Sequence, residues 1–181
     1  LENLFLLARE QKKDPLILKG SYAGAMGWGQ FMPDSYRDYA VDFDDDGLTD
    51  IWENPTDAIG SVANFLSKKG QWKKDQPVAT RAHIKENLNT DGLNKMRKPK
   101  KTIADMEEQG FIPAQNYAKD SLAFSMMLSG KYGDEYWLGL NNFYAIGRYN
   151  PRIKYAMAVY QLSLMIGEQR CEVIETCDSS K

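Results

Sequence analysis

Residues 20–66 read GSYAGAMGWGQFMPDSYRDYAVDFDDDGLTDIWENPTDAIGSVANFL, and two dense signals stand back to back in them. The second begins at Asp42. Asp42, Asp44 and Asp46 occupy positions one, three and five of a loop, and Gly47 occupies position six. Alternate carboxylates on a curling chain converge on one ion, and glycine permits the sharp turn between them. Leu48 at position seven offers a backbone carbonyl, and Asp50 at position nine can bind directly or through water. Glu53 closes a twelve-residue loop; Asp57, just past Pro55 and at the start of the next helix, is a second closure and the one adopted here. An all-oxygen donor set suits calcium or magnesium and not zinc. The metal ligands expected are therefore Asp42, Asp44, Asp46, Leu48 and Asp57, around a structural calcium. The bland alternative is a solvated acidic turn, although carboxylates so close together repel one another without a cation.

The first signal, residues 21–36, mixes small residues, aromatics, amides and hydroxyls. Glycines at 20, 24, 27 and 29 allow backbone or ligand to come close. Met26, Trp28, Phe31 and Met32 read either as apolar groove walls or as plain core. Gln30, between Gly29 and Phe31, is harder to explain as packing.

Outward from this stretch, residues 1–11 have helical periodicity, with Leu1, Leu4, Phe5, Leu7 and Ala8 on one face. Lys12 to Pro15 end that helix, and a short helical turn is expected over 15–19. Glu2 and Glu10 read as solvated helix surface. Asn54, Pro55 and Asp57 start a helix over 55–68, with Ala58, Ile59, Val62, Ala63 and Leu66 expected inside. Asn64 reads either as a cleft residue or as a hydrogen-bonded core asparagine. Strands are expected within 76–84, 121–128 and 136–140, with LSGKYGDEY as a turn region. Thr102 caps a short helix over 103–109. Helices follow over 142–148 and 151–169. The cluster Lys95, Arg97, Lys98, Lys100 and Lys101 reads as a solvated loop, or as a touch point for an anionic wall polymer. His83, the only histidine, has no nucleophile or second metal-type ligand near it in sequence. Cys171 and Cys177 invite a small disulfide loop, with free thiols as the alternative.

Composition narrows the class. The chain has 181 residues, 43% apolar and 27% charged, with a net charge of −2. That balance is ordinary for a globular protein and gives no electrostatic case for nucleic acid. No apolar run approaches the roughly 18 residues of a membrane span.

The runs SYAGAMGWGQFMPDSYRDYAVDFDDDG, DAIGSVANF, FYAIGRYN and YAMAVYQL resemble the membrane-bound lytic murein transglycosylase B family. The resemblance is weakest over 71–131. It implies an α+β, mainly α fold: a lysozyme-like helical core with an EF-hand-like calcium loop and a small inserted subdomain containing strands. On that basis residues 1–69 are the first part of the core, 70–136 the insertion, and 137–181 the second part of the core with its tail. The implied activity is cleavage of the β-1,4 bond between N-acetylmuramic acid and N-acetylglucosamine in peptidoglycan, with a 1,6-anhydro sugar as product. The resemblance makes Ser21, Gln30, Tyr149, Asn150 and Tyr155 substrate contacts. Ser and Gln supply short neutral donors and acceptors, and tyrosine faces stack on sugars. Asn150 also suits the capping of the helix after Pro151.

The family's acid is a glutamate in a run of the type ETRWG, which has no counterpart in this sequence. The chain thus resembles the C-terminal portion of such an enzyme, no catalytic residue is assigned in it, and inactivity in isolation is expected. The implied setting is the periplasm of a Gram-negative envelope. Attachment to the outer membrane is expected only through an upstream lipid anchor, the partners are glycan strands and not nucleic acid, and the chain is expected to be a monomer. Two other readings stay open: a non-catalytic peptidoglycan-binding or scaffold module, and a calcium-responsive regulator.

Overall fold

The computed structural model describes residues 1–86, 88 and 90–174, with the side chains of 171–174 outside that description. Helices predominate over strands, so the fold is α+β and mainly α. The chain forms two compact units, Leu1–Gln71 and Trp72–Lys181.

The first unit is helical. Helix α1 (Glu2–Glu10) buries Leu7 and Ala8. Leu1 and Phe5 stay exposed, so the inward face of this helix is narrower than its apolar periodicity suggests. Arg37 of α2 (Pro33–Tyr39) reaches back to α1, donating to both Glu10 oxygens (2.9 and 2.8 Å) and to Asn3 Oδ1 (2.7 Å). Glu10 is therefore a surface residue with a partner, not a merely solvated one. A turn at 15–17 stands within the short helical turn expected over 15–19. The aromatic core brings Phe65 to 5.8 Å from Phe31 and 5.1 Å from Tyr39, and Tyr36 to 5.5 Å from Trp52, centroid to centroid.

Helix α3 (Pro55–Lys68) starts as expected, with Asn54 Oδ1 accepting from Thr56 and Asp57 N–H and Pro55 in the first turn. Its inward face is not the expected one. Asp57, Ala58, Gly60, Ser61 and Phe65 are buried, while Ile59 is 69% exposed. The helix turns small and polar residues inward because they hold a neighbouring loop by hydrogen bonds. A Cβ on Gly60 would collide with the Phe43 ring of that loop.

The second unit is built on an antiparallel sheet of order β2-β4-β5-β1-β3. Its strands are β1 (Ala79–Ile84), β2 (Lys101–Thr102), β3 (Phe111–Pro113), β4 (Leu122–Gly130) and β5 (Gly133–Gly139). The long pair β4–β5 closes on Gly130 opposite Gly133, leaving only Lys131 and Tyr132 in the turn. That is the tight hairpin connection that matches strand twist. It makes strand of several residues expected in the turn.

Period-two alternation gives this sheet two covered faces. Phe124, Met126 and Trp137 pack with Phe143 and Ile146 of α5 (Asn141–Tyr149) and with Ile153, Ala156 and Met157 of α6 (Ile153–Ile174). Ala123 and Leu138 pack on the other side with Ile103 and Met106 of α4 (Ile103–Glu108). Helix α4 begins with a reciprocal capping box: Thr102 Oγ1 accepts from Asp105 N–H, and Asp105 accepts from Thr102 N–H. Buried Asn142 ties residues 73–76 to α5, donating to the carbonyls of Lys73 and Gln76 and accepting from Lys73 N–H. Among the described residues no helix is long and apolar enough to cross a membrane. Cys177 and the side chain of Cys171 lie outside the described residues, so the expected disulfide does too.

Candidate functional site

The acidic loop is held from inside. Asp57 is fully buried, and its two oxygens accept from Phe43 N–H and Asp50 N–H, each at 2.7 Å. Val41 N–H donates to Ser61 Oγ at 3.0 Å. One helix thus grips both arms of the loop through side-chain oxygens. At the tip, Asp42 accepts from Asp46 N–H and Gly47 N–H, and Gly47 takes φ 90°. Tyr36 closes the far arm by donating its hydroxyl to the Thr49 carbonyl at 2.6 Å. Burial, and then the charges of Asp50 and Asp57, raise the Tyr36 phenol above its ordinary pKa, so it stays a donor.

Carboxylate oxygens of Asp42, Asp44 and Asp57 lie within 4.8 Å of one another. Asp46, also expected as a ligand, accepts from Leu48 N–H through Oδ1 at 2.8 Å, a bond that uses neither Asp46 Oδ2 nor the Leu48 carbonyl expected to ligate. Asp50 accepts from Trp52 and Glu53 N–H. Of the two closures considered, Asp57 is the one that stands in the acidic group. Asn54, read in the sequence only as a cap, also donates to Asp44 Oδ2 at 3.0 Å and so bridges the loop to the helix start. Its place one residue before Pro55 was the available signal. Three carboxylates of one sign, with no salt bridge to a basic side chain among the described residues, fit a hard divalent cation.

The residues expected to line the groove or contact substrate fall in both units. In the first, Met26 and Phe31 exchange two backbone hydrogen bonds (2.8 and 3.0 Å) around a tight loop. Both are buried, which makes them core, while Trp28 and Met32 are exposed at 65% and 42%. Gly27, at φ 62°, lies against the Ile51 carbonyl, where a Cβ would come within 2.5 Å of the oxygen. Gln30 takes φ 50°, a left-handed conformation uncommon for a residue with a side chain. Its Nε2 donates to the Gly27 carbonyl, and the residue is exposed. Ser21 Oγ accepts from Ala25 N–H, which fixes it with its own proton free to donate. Asn64 proves to be the structural kind, donating to the Tyr39 carbonyl at 2.9 Å.

In the second unit, Tyr149 ends α5 and Asn150 caps the turn into α6, its Oδ1 accepting from Arg152 N–H at 3.2 Å. Burial, with Tyr155 adding to it, pushes the Tyr149 phenol up to about 12. Tyr149 therefore keeps its proton at any physiological pH. Tyr155 is 38% exposed.

The model of the transglycosylase SLT domain family matches residues 1–164, a span that takes in the glycine-rich loop, the acidic loop and the RYN turn; the chain belongs to that family. It is similar to membrane-bound lytic murein transglycosylase B of Escherichia coli (strain K12), with 45% identity over 172 residues, covering 95% of this chain and 46% of that protein. Among solved structures it resembles the soluble lytic transglycosylase SltB1 of Pseudomonas aeruginosa, at TM-score 0.85 and 45% identity, covering 94% of this chain and 56% of that one. It also resembles the E. coli lytic transglycosylase SLT35 in complex with calcium, at TM-score 0.81 and 44% identity, covering 94% of this chain and 53% of that one. The chain thus spans about half the length of the relatives it matches.

Proposed function

We propose that this chain is the glycan-holding part of a lytic transglycosylase that cleaves the β-1,4 bond between N-acetylmuramic acid and N-acetylglucosamine in peptidoglycan. The family match over residues 1–164 carries the reading. Ser21 and Gln30 in one unit, and Tyr149, Asn150 and Tyr155 in the other, are the sugar contacts. The left-handed backbone at Gln30 supports this, since strain of that kind gathers at binding sites. Residues 70–136 are the insertion between the two stretches of sequence that carry the contacts.

The reaction is protonation of the glycosidic oxygen by a carboxylic acid, departure of the N-acetylglucosamine unit, and capture of the muramyl C1 by its own 6-hydroxyl, which loses its proton to the same carboxylate. One carboxylate serves both steps, because no water has to be activated as in hydrolysis. No residue of this chain is assigned that role. Asp42, Asp44 and Asp57 hold calcium, which braces the loop and takes no part in the chemistry. The setting is a Gram-negative cell envelope, which the name of the E. coli relative supports.

The experiment is incubation of the 181-residue chain with purified peptidoglycan, read by mass spectrometry for 1,6-anhydro muropeptides and by co-sedimentation for binding. Binding without anhydro products is expected, with weaker binding for Gln30→Ala and Tyr149→Ala. Anhydro products would place a catalytic carboxylate among these residues. Absence of binding would remove the glycan-holding role.

A further inference from the structure

We infer that the sheet unit carries a second site, separate from the glycan contacts, for a short anionic peptide in extended conformation. The site is a cavity of about 650 Å³ beside the edge of β4, large enough for a few residues of peptide. Three independent features meet there.

The first is an interrupted strand edge. Lys101 of β2 pairs with Ala123, and further along Met127 N–H donates to the Leu93 carbonyl. Between these two points the segment 94–100 leaves the strand. Main-chain groups of alternate residues in an antiparallel strand point the same way. Met127 points away from β5, so Ser125, two residues before it and opposite Leu138, does too. Ser125 lines the cavity, and its outward N–H and carbonyl have no hydrogen-bond partner among the described residues. One residue's worth of open edge accepts one peptide unit of an added strand.

The second feature is charge. Arg97, Lys98, Lys100 and Lys101 line the same cavity. Arg97 donates to the Gly92 carbonyl, and Lys101 donates to Gln109 Oε1 while its charge also acts on the Asp105 carboxylate. Lys98 and Lys100 make no hydrogen bond or ion pair among the described residues. On α4, Asp105 is held in the capping box and Glu107 pairs with Lys119. Lys98 and Lys100, without a partner among the described residues and set in a rim of four cations, select a ligand with more than one carboxylate. The third feature is the apolar floor, Leu93, Met106, Phe111 and Ala123, all buried. It takes small apolar side chains and excludes water from the peptide's main-chain bonds.

The test is titration of the intact chain with the synthetic peptide acetyl-Ala-Glu-Ala-Glu, read by amide NMR. Saturable binding is expected, with the Ser125 amide shifted downfield. The Gln-for-Glu peptide and the Lys98→Gln/Lys100→Gln chain should each bind roughly fivefold more weakly, the loss of two rim pairs of ordinary strength. N-methylation of the central amide should abolish the Ser125 shift. Both lysines are exposed, so this variant keeps the fold. No saturable binding, or binding unchanged in the double variant, overturns the site. Laurate binding in place of the peptide, with the Ser125 amide unmoved, overturns the peptide assignment as well. None of the five glycan contacts lines this cavity, so failure here leaves the glycan reading standing, and failure there leaves this one.

Discussion

The acidic loop of the first unit and the sheet of the second solve the same problem by opposite chemistry. Residues 41–50 are anchored by oxygens of Asp57 and Ser61, two polar side chains left with almost no exposure. The sheet is anchored by alternate apolar side chains on both faces, with Phe143 fully buried against Phe124. Apolar packing is set by volume, whereas the loop is set by donors that must each meet an acceptor. The two regions should therefore fail in different ways.

The largest effect expected is the truncation of each anchor. Phe143→Ala should cost about 3–5 kcal/mol, and Asp57→Ala a similar amount, since two backbone N–H groups lose a charged acceptor. Rescue separates them. Phe143→Met should recover most of the loss, because apolar volume is what the sheet needs. Asp57→Leu should recover none, because volume cannot accept a hydrogen bond. Urea melts and hydrogen exchange measure both, and exchange also shows where protection is lost. Should Asp57→Leu prove as benign as Phe143→Met, the loop is held by packing and the contrast fails.

Calcium sharpens the comparison at the next level. A site of the extracellular kind, with a dissociation constant of about 10⁻⁴ M, stabilises a protein by roughly 1 kcal/mol at millimolar calcium. Chelation should lower the melting temperature accordingly, and Asp44→Ala should erase that dependence. Asp46→Ala should erase less of it, because Asp46 stands outside the three-carboxylate group. The fall in protection on chelation should be confined to the acidic loop and the start of α3. An unchanged melting temperature on chelation removes the cation from the loop.

What was legible in the sequence follows the same division. The DxDxDG pattern, the Asn54-Pro55 helix start and the Thr102 cap are local rules, and each appears in place because a few neighbouring residues decide it. The inner face of α3 was misread, with Ile59 placed inside, because apolar periodicity cannot see that Asp57 and Ser61 are claimed by backbone groups 7 to 20 residues away. Strands β2 and β3 were missed because two or three residues carry no period, and only pairing with β4 and β1 makes them strands. The substrate residues came from motif resemblance alone. Nothing in local pattern could have separated Trp28, which is exposed, from Met26 and Phe31, which are core. The cavity beside β4 was also beyond reach, since it depends on Leu93 and Lys101 meeting one strand four residues apart.

The smallest effect concerns the surface pair between α1 and α2. The hydrogen bonds from Arg37 lower the Glu10 pKa below its ordinary 4.5, and the Arg37 charge adds to this. A carboxylate whose folded-state pKa is depressed adds stability above its unfolded pKa and loses it as pH falls through the folded value. The contribution is therefore present from about pH 5 upward and disappears in moderately acidic solution. Exposed pairs are weak and screened by salt, so Glu10→Gln should change the melting temperature only slightly at neutral pH and not at all once Glu10 is protonated. Its value is diagnostic. Asp57 is buried and works by geometry, so its removal should be insensitive to salt, whereas the Glu10→Gln effect should vanish in molar salt. A salt-resistant loss at Glu10 would mean that this pair, like Asp57, anchors backbone order and not merely charge.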